Sequence, residues 1–444
     1  MCKGDIMQRR ALSELLAWKA MEGRSPLLLE GSRQVGKSYL LEEVFGKGHY
    51  DNVVRVNLQN ATPQLKELFE GSIEPRRIIA NLELLYDTKI HPSQTLLIFD
   101  EIQDVPRALT SLKYFSEEAP EYHLAAAGSL LGVFLQQQSA FPVGKVHSVK
   151  LEPMDFEEFC WANGRRDIIE SLRQDSSNRL FDELLLDLFR QYSVVGGMPQ
   201  VVKSWIRHHD TEHMKSLQQN ILNDYIRDFS KYTTELQATR IRQVFETLPS
   251  HFAKSRGKFV FGAVKTGARA REFELAIEWL VHAGLIRRVW RVQTGEKIPL
   301  KSYIDQTAFK LYFLDCGLLR QLADVPPAVV MDTSAVFSEM GGLFAEQFVL
   351  QQLHSRQAYY WTGASTAEIE FITQEKALVV PIEVKSGNNV KSKSLRSFRD
   401  KYRPQLAIRF SLKGLELNNG LLNIPLYHSF LFEDLLASTL STQE

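Results

Sequence analysis

Gly31-Ser32-Arg33-Gln34-Val35-Gly36-Lys37-Ser38 sets two glycines, a lysine and a serine in the pattern G-x-x-x-x-G-K-[ST] without a mismatch. That spacing suits the holding of a chain of phosphates. The glycines let the main chain wrap closely, and a following helix would offer its amino-terminal N–H groups. Lys37 would reach the β- and γ-phosphates, and the Ser38 hydroxyl would ligate Mg²⁺. The stretch Gly31, Ser32, Arg33, Gln34, Val35, Gly36, Lys37, Ser38 and Tyr39 is therefore read as the nucleotide-binding segment. It needs an acid at the tip of another apolar strand, and Leu96-Leu97-Ile98-Phe99-Asp100-Glu101 supplies two, the first 63 residues after Lys37. Asp100 would hold Mg²⁺ through water, and Glu101 would polarise the attacking water. Holding a metal and activating water are separate tasks, so paired acids point to hydrolysis beyond binding. Ser129, following Ala127-Gly128, is expected between the two motifs, near the γ-phosphate. ATP and Mg²⁺ are the cofactors this pattern calls for.

A second constellation lies near the carboxyl terminus. Glu368-Ile369-Glu370-Phe371 is followed, 13 residues after Glu370, by Glu383-Val384-Lys385. Side chains at i and i+2 of a strand share a face, so Glu383 and Lys385 project together. Glu370 and Glu383 would hold a divalent cation, Lys385 would orient water, and Glu346 would add a further acid. An acid on one strand and Glu-x-Lys on the next resembles the restriction-endonuclease-like nucleases. An ion-paired sheet without metal is the alternative. Lys391, Lys393, Arg396, Arg399, Lys401 and Arg403 follow, as a phosphodiester backbone would require. His209 and His213, four apart on one expected helix, have zinc spacing but no third ligand, so a solvated face is favoured.

Elements must position these groups. Up to about Leu135 the runs Pro26–Glu30, Val53–Asn57, Thr95–Phe99 and Tyr122–Ala127 alternate with amphipathic helices. Near-continuous apolar strands between helices indicate a parallel sheet covered on both faces. Val146–Leu151 is a further strand, and a helix is expected from Tyr39 to Phe45. Residues 154–231 read as helical, opened by acids at Asp155, Glu157 and Glu158 and broken at Gly196-Gly197-Met198-Pro199. Residues 236–304 read as three helices and a hairpin whose return strand runs from Ile298 to Ile304. That order suits a winged helix with Lys254, Arg256, Lys258, Lys265, Arg269 and Arg271 available to DNA. The helix Ala270 to Gly284 would enter the major groove, although Glu272, Glu274 and Glu278 oppose phosphate.

The chain has 444 residues, 53 basic and 53 acidic. A neutral whole argues against a generic polyanion binder, yet residues 251–310 and 381–414 each carry a local +7 and residues 151–190 a local −5. Cys2, Cys160 and Cys316 are too scattered for a disulfide framework, which suits a reducing cytoplasm. No apolar run approaches the length of a membrane helix, and the first residues lack an export signal.

With Pro153-Met154-Asp155-Phe156, Tyr192, Gly196-Gly197-Met198-Pro199 and Lys310 through Leu318 added, the order of motifs resembles an uncharacterised prokaryotic branch of the AAA-type ATPases. The resemblance implies a P-loop ATPase domain, a winged helix and a carboxy-terminal domain of unknown function of the DUF4143 type. The expected fold class is α/β: an AAA-type parallel sheet at 1–152, a helical subdomain at 153–235, a winged helix at 236–305 and a restriction-endonuclease-like domain at 306–444. Gly144-Lys145 stands where relatives tend to carry Gly-Arg, and a lysine is a poorer planar donor to a γ-phosphate. The expected activity is Mg²⁺-dependent ATP hydrolysis coupled to the distal domains. The alternatives are an ATP-dependent DNA nuclease and a nucleotide-gated module that binds a protein. Partners are therefore ATP with double-stranded DNA or a protein, and no membrane.

Overall fold

Five short runs become one parallel sheet: β1 (Leu27–Glu30), β2 (Asn52–Asn57), β3 (Thr95–Asp100), β4 (His123–Gly128) and β5 (His147–Lys150). The computed structural model describes residues 7–137, 144–255, 257–331, 341–354, 356–363, 367–387, 390 and 392–441. Every residue of β3 and β4 is buried, as strands covered on both faces must be. Covering helices at Pro63–Glu70, Pro75–Leu85 and Pro106–Glu118 each begin with proline, where the missing N–H would have had no helical partner. Phe99 on β3 meets Phe69 and Phe115 edge-on, with centroids 5.5 and 6.2 Å apart. The strand order is β2-β3-β4-β1-β5. β4 is thus inserted between β1 and β3, and the carboxyl ends of all three lie on the same edge of the sheet, where such sheets bind ligands.

This sheet belongs to the first of two compact units, Met1–Pro153 with His282–Leu285; the second comprises Met154–Val281 and Ile286–Glu444. The second unit gathers the segments that the sequence divides at 235 and 305. It opens at Asp155, whose carboxylate accepts from the Glu158 amide at 2.7 Å while Glu158 accepts from the Asp155 amide at 3.1 Å. That reciprocal cap is stronger than the acid-rich first turn legible in the sequence. Helices follow at Asp182–Val195, Pro199–His208, Thr211–Asp228, Glu235–Ser255 and Ala270–His282.

The second sheet joins β6 (Ile286–Val292), β7 (Ile304–Phe313), β8 (Tyr359–Thr362), β9 (Glu368–Glu375), β10 (Leu378–Val384), β11 (Ala407–Ser411), β12 (Glu416–Asn418) and β13 (Leu421–Pro425) in the order β12-β13-β11-β10-β9-β8-β6-β7. The hairpin's return strand runs from Ile304 to Phe313, which corrects the expected Ile298 to Ile304. Pro299 has no N–H for a ladder, and Leu300–Tyr303 is a tight helical turn instead. β6 pairs with β7 on one side and β8 on the other, so the hairpin is continuous with the sheet that carries Glu370 and Glu383.

Motif residues to which the sequence assigns no chemistry form a buried knot in this unit. Asp315 accepts from the Gly197 amide at 2.6 Å and the Leu318 amide at 2.9 Å, capping helix Cys316–Leu322. Gln351 donates to Asp315 and to the Tyr192 hydroxyl, which itself donates to the Met154 carbonyl at 2.7 Å. A Cβ at Gly197 would stand 1.9 Å from the Met154 oxygen, and one at Gly317 2.5 Å from the Val195 oxygen. These glycines serve close backbone approach.

Candidate functional site

The phosphate-loop residues lie where β1 gives way to helix. Gln34 and Gly36 take left-handed backbone at φ 65° and 94°, which curls the loop. A Cβ at Gly31 would strike the Leu151 carbonyl at 2.2 Å, so only glycine lets the loop pass β5. Lys37–Tyr39, Leu40–Gly46 and Lys47–His49 are consecutive helical turns, the middle one wound in the wider i→i+5 pattern. The helix thus starts two residues before the expected Tyr39 and extends past Phe45. Lys37 is buried, and its Nζ donates to the carbonyls of Gly31 and Ser32, each at 2.8 Å. Arg9, a buried residue without a motif, donates to the Val35 carbonyl at 2.8 Å and the Glu152 carbonyl at 2.6 Å, pinning the loop from behind. Tyr39 is exposed beside the loop, while Ser32 is buried and Arg33 and Val35 complete its course.

Asp100 ends β3 facing the loop, with its Oδ1 accepting from the Ser38 hydroxyl at 3.1 Å. Its Oδ2 accepts from Arg55 Nε at 2.9 Å and Nη2 at 2.5 Å, and Arg55 also donates to Glu42 at 2.9 Å. Arg55 and Asp100 occupy neighbouring strands, so their pairing is a product of the sheet and had no signature in the chain. The Ser38 and Asp100 oxygens, side by side, form a hard oxygen pair of the kind Mg²⁺ takes.

Glu101 follows directly at φ 51°, a left-handed conformation uncommon for a residue other than glycine. One carboxylate oxygen, Oε2, accepts three bonds: Gln103 Nε2 at 2.6 Å, the Ser129 hydroxyl at 2.8 Å and the Ser129 amide at 3.1 Å. Ser129 therefore lies beside the acid pair, at the end of the inserted strand β4. Burial pushes the Glu101 carboxyl upward, but Gln103, Ser129 and the Lys37 charge outweigh it and hold it below the usual range. Burial pulls Lys37 down to about 8, opposed by Glu101 and Asp100 and aided by Arg33. Such perturbed groups, gathered at the strand ends, make this the candidate site.

The carboxy-terminal cluster also assembles. Glu370 on β9 and Glu383 on β10 sit on adjacent antiparallel strands. Lys385 pairs with Glu383 at 3.0 Å, and Ser392 donates to the same Glu383 oxygen. Glu346, from helix Gly341–Gln352, accepts from Tyr312 at 2.8 Å and Lys310 at 3.2 Å. Lys310, fully buried, also pairs with Glu368 at 2.8 Å, and Lys258 with Glu368 at 2.9 Å. Burial, then the Glu346 charge, push Glu370 up to about 8 against Lys385, with Glu383 adding to the rise and Lys310 opposing it. Burial works to lower the Lys310 amine, yet Glu346, Tyr312 and Glu368 hold it well above the usual amine range. Among the described residues no group of three or more His, Cys, Asp or Glu is arranged to hold a metal ion. The lysines occupy much of the carboxylate surface, the ion-paired alternative raised by the sequence. One atom stands out: Glu383 Oε2 is buried with no partner among the described residues.

Other expected positions separate. Lys145 pairs with Glu117 at 3.0 Å. His209 ends one helix in left-handed backbone and Asp210 caps the next, so His209 and His213 do not share a helix, correcting the expected spacing. Glu274 and Glu278 both pair with Arg288, which offsets their charge. Arg256 and the Lys254 side chain lie outside the described residues. Among the described residues no helix is long and apolar enough to cross a membrane.

Comparison with known families matches residues 23–160 to an AAA domain, residues 186–328 to a domain of unknown function (DUF8612) and residues 341–428 to another (DUF4143). No curated protein matches the chain. Similar solved structures include the Walker-type ATPase PABY2304 of Pyrococcus abyssi, 15% identical, covering 72% of this chain and 97% of that one at a TM-score of 0.45. Drosophila ORC bound to DNA is 14% identical over 73% of this chain and 95% of that one, TM-score 0.27. Cdc6p from Pyrobaculum aerophilum is 11% identical over 74% and 97%, TM-score 0.27.

Proposed function

We propose that this chain, an AAA-type protein of an uncharacterised ATPase family joined to a DUF4143 domain, hydrolyses ATP with Mg²⁺ and couples nucleotide state to its second unit. The observation that carries the reading is the convergence of groups from three strand ends: Lys37 and Ser38 after β1, Asp100 and Glu101 after β3, and Ser129 after β4, with Ser38 3.1 Å from Asp100 and Ser129 2.8 Å from Glu101. Residues 31–39 would cradle the triphosphate and Lys37 would neutralise its β- and γ-oxygens. Ser38 and Asp100 would hold Mg²⁺, which when bound supplies positive charge to the phosphoryl oxygens. Glu101, turned from Ser129 and Gln103, would accept the proton of the attacking water, and Ser129 would register the γ-phosphate it then faces. Free, buried Cys160 and Cys316 fit a cytoplasmic setting. The test is phosphate release by the purified chain with ATP and Mg²⁺. Glu101→Gln should abolish turnover while leaving nucleotide affinity intact, and Lys37→Ala should abolish binding. A chain that takes up no adenine nucleotide sinks the reading.

A second reading concerns the other unit. We propose that Glu370 and Glu383, with Lys385 and Glu346 beside them, form a restriction-endonuclease-like centre acting on DNA. The buried, unpartnered Glu383 Oε2 and the strongly raised Glu370 support it, since a divalent cation would satisfy both. Mg²⁺-dependent nicking of plasmid, lost in Glu383→Ala, is the expected result. With no nicking, and no DNA effect on ATP turnover, the nucleotide-gated protein-binding module takes its place.

A further inference from the structure

Helix Lys393–Tyr402 has two faces with different work. Leu395 and Phe398 are buried in a core cluster with Trp361, Val292 and Ala407, and Tyr402 packs against it. Arg396 and Arg399 lie three apart, about one turn, along another side, and Arg403 follows the helix end in left-handed backbone. Together with Arg409 of β11 they line a cleft of about 710 Å³.

Arg409 is the fixed point of the cleft. It is nine-tenths buried, with Nε donating to Asn423 Oδ1 at 2.9 Å and Nη1 to the Val390 carbonyl at 3.1 Å, both neutral acceptors. Glu383, its register partner on β10, and Glu416 act on its charge without a hydrogen bond, so its donors meet only neutral acceptors and the guanidinium at the cleft wall can still engage an outside anion. Arg399 donates to the Asn419 carbonyl, again neutral. Among the described residues none of the four arginines pairs with a carboxylate, and Asp400 is the one acid in the lining. Four guanidinium groups against one carboxylate give the cleft wall a formal charge of +3.

We propose that this cleft binds the phosphate backbone of a nucleic-acid strand through Arg396, Arg399, Arg403 and Arg409. Successive phosphates of one duplex strand rise about 3.4 Å along the axis, so arginines spread over a helix turn, the helix end and a strand face more than one phosphate, more than a lone phosphate group fills. Guanidinium forks suit phosphate oxygens. Ser392 both lines the cleft and donates to Glu383, so a strand lying along the arginines runs toward the carboxylate cluster. The inference deepens the second reading above by naming its binding surface, yet it requires neither cleavage nor ATP.

The test is fluorescence anisotropy of a labelled 20-base-pair duplex, and of its single strand, with the full chain in EDTA and no nucleotide, across a series of NaCl concentrations. Binding should weaken with salt as a multi-phosphate contact does. The double variant Arg396→Gln/Arg403→Gln, at exposed positions that leave the core untouched, should bind at least tenfold more weakly and lower the salt slope by about two. Its ATP turnover should stay unchanged. Arg409→Lys should weaken binding in the same direction. Wild-type affinity in the double variant, or no duplex or strand binding at all, overturns the proposal. So does displacement of the strand by equimolar inorganic tripolyphosphate, which would make a free polyphosphate the ligand. Plasmid nicking is scored separately: retained binding without nicking sinks the nuclease reading and leaves the cleft standing.

Discussion

Gln103→Leu should make the protein a faster ATPase. Gln103 Nε2 holds Glu101 Oε2 at 2.6 Å, in company with both Ser129 donors. A carboxylate saturated on one oxygen is turned away from water and is a weaker base, because every donor favours its ionised form. A hydrogen bond to a charged group contributes about 1.5–3 kcal/mol. Breaking this one before hydrolysis therefore slows the reaction by roughly 10- to 150-fold at about 1.4 kcal/mol per decade. Leucine has nearly the volume of glutamine and cannot make the bond. It also removes Gln103 Oε1, a buried carbonyl oxygen with no partner among the described residues, so the fold should not suffer. The assay is the single-turnover rate of γ-phosphate cleavage, which is insensitive to product release, alongside the denaturation midpoint. A rise of about tenfold or more with an unchanged midpoint is expected. A rate that is unchanged or reduced, with nucleotide affinity intact, would refute the view that Gln103 restrains Glu101.

In metal-free buffer, nucleotide binding should take up a proton above pH 8. Lys37, lowered to about 8 by burial, is charged below that pH and neutral above it, whereas bound phosphates would recharge it. Affinity should then fall about tenfold per pH unit above 8, and calorimetry in buffers of different ionisation enthalpy should count the proton; a flat count from pH 7 to 9 would be contrary. Arg55→Gln removes the guanidinium that engages Asp100 Oδ2, so half-maximal Mg²⁺ for fluorescent-ATP binding should fall by about threefold or more, and a higher requirement would contradict the placement. Gly197→Ala forces a methyl 1.9 Å from a backbone oxygen that cannot yield, and should cost about 3 kcal/mol or more in the chemical unfolding of the second unit, with nucleotide binding retained.

Much of the first site was legible because its signals are local. The phosphate loop is eight consecutive residues, and the acid pair closes one apolar run, so spacing and strand patterning suffice to find both. Arg9, Arg55 and Gln103 were not legible. Each acts on a group distant in sequence or around a turn, and an arginine or glutamine alone carries no period. The second cluster divides the same way. Glu370, Glu383 and Lys385 follow from alternation along paired strands, while Lys310 and Lys258, which take up the carboxylate charge, come from elsewhere in the chain. The hairpin's return strand was misplaced because a proline and a tight turn shifted the start to Ile304.

The sequence by itself determined most of the elements and marked the candidates for phosphate contact, because glycine spacing, helix starts and apolar alternation are short-range consequences of backbone sterics and burial. Tertiary structure decided who stands beside whom. Inserting β4 between β1 and β3 brings Ser129 to Glu101, and pairing β2 with β3 brings Arg55 to Asp100. Strand order depends on how whole faces pack, and no local pattern encodes it. The same holds for the cleft: Arg396 and Arg399 are written in helical spacing, but Arg403 turns in past the helix end and Arg409 arrives only through the ladder of a distant strand.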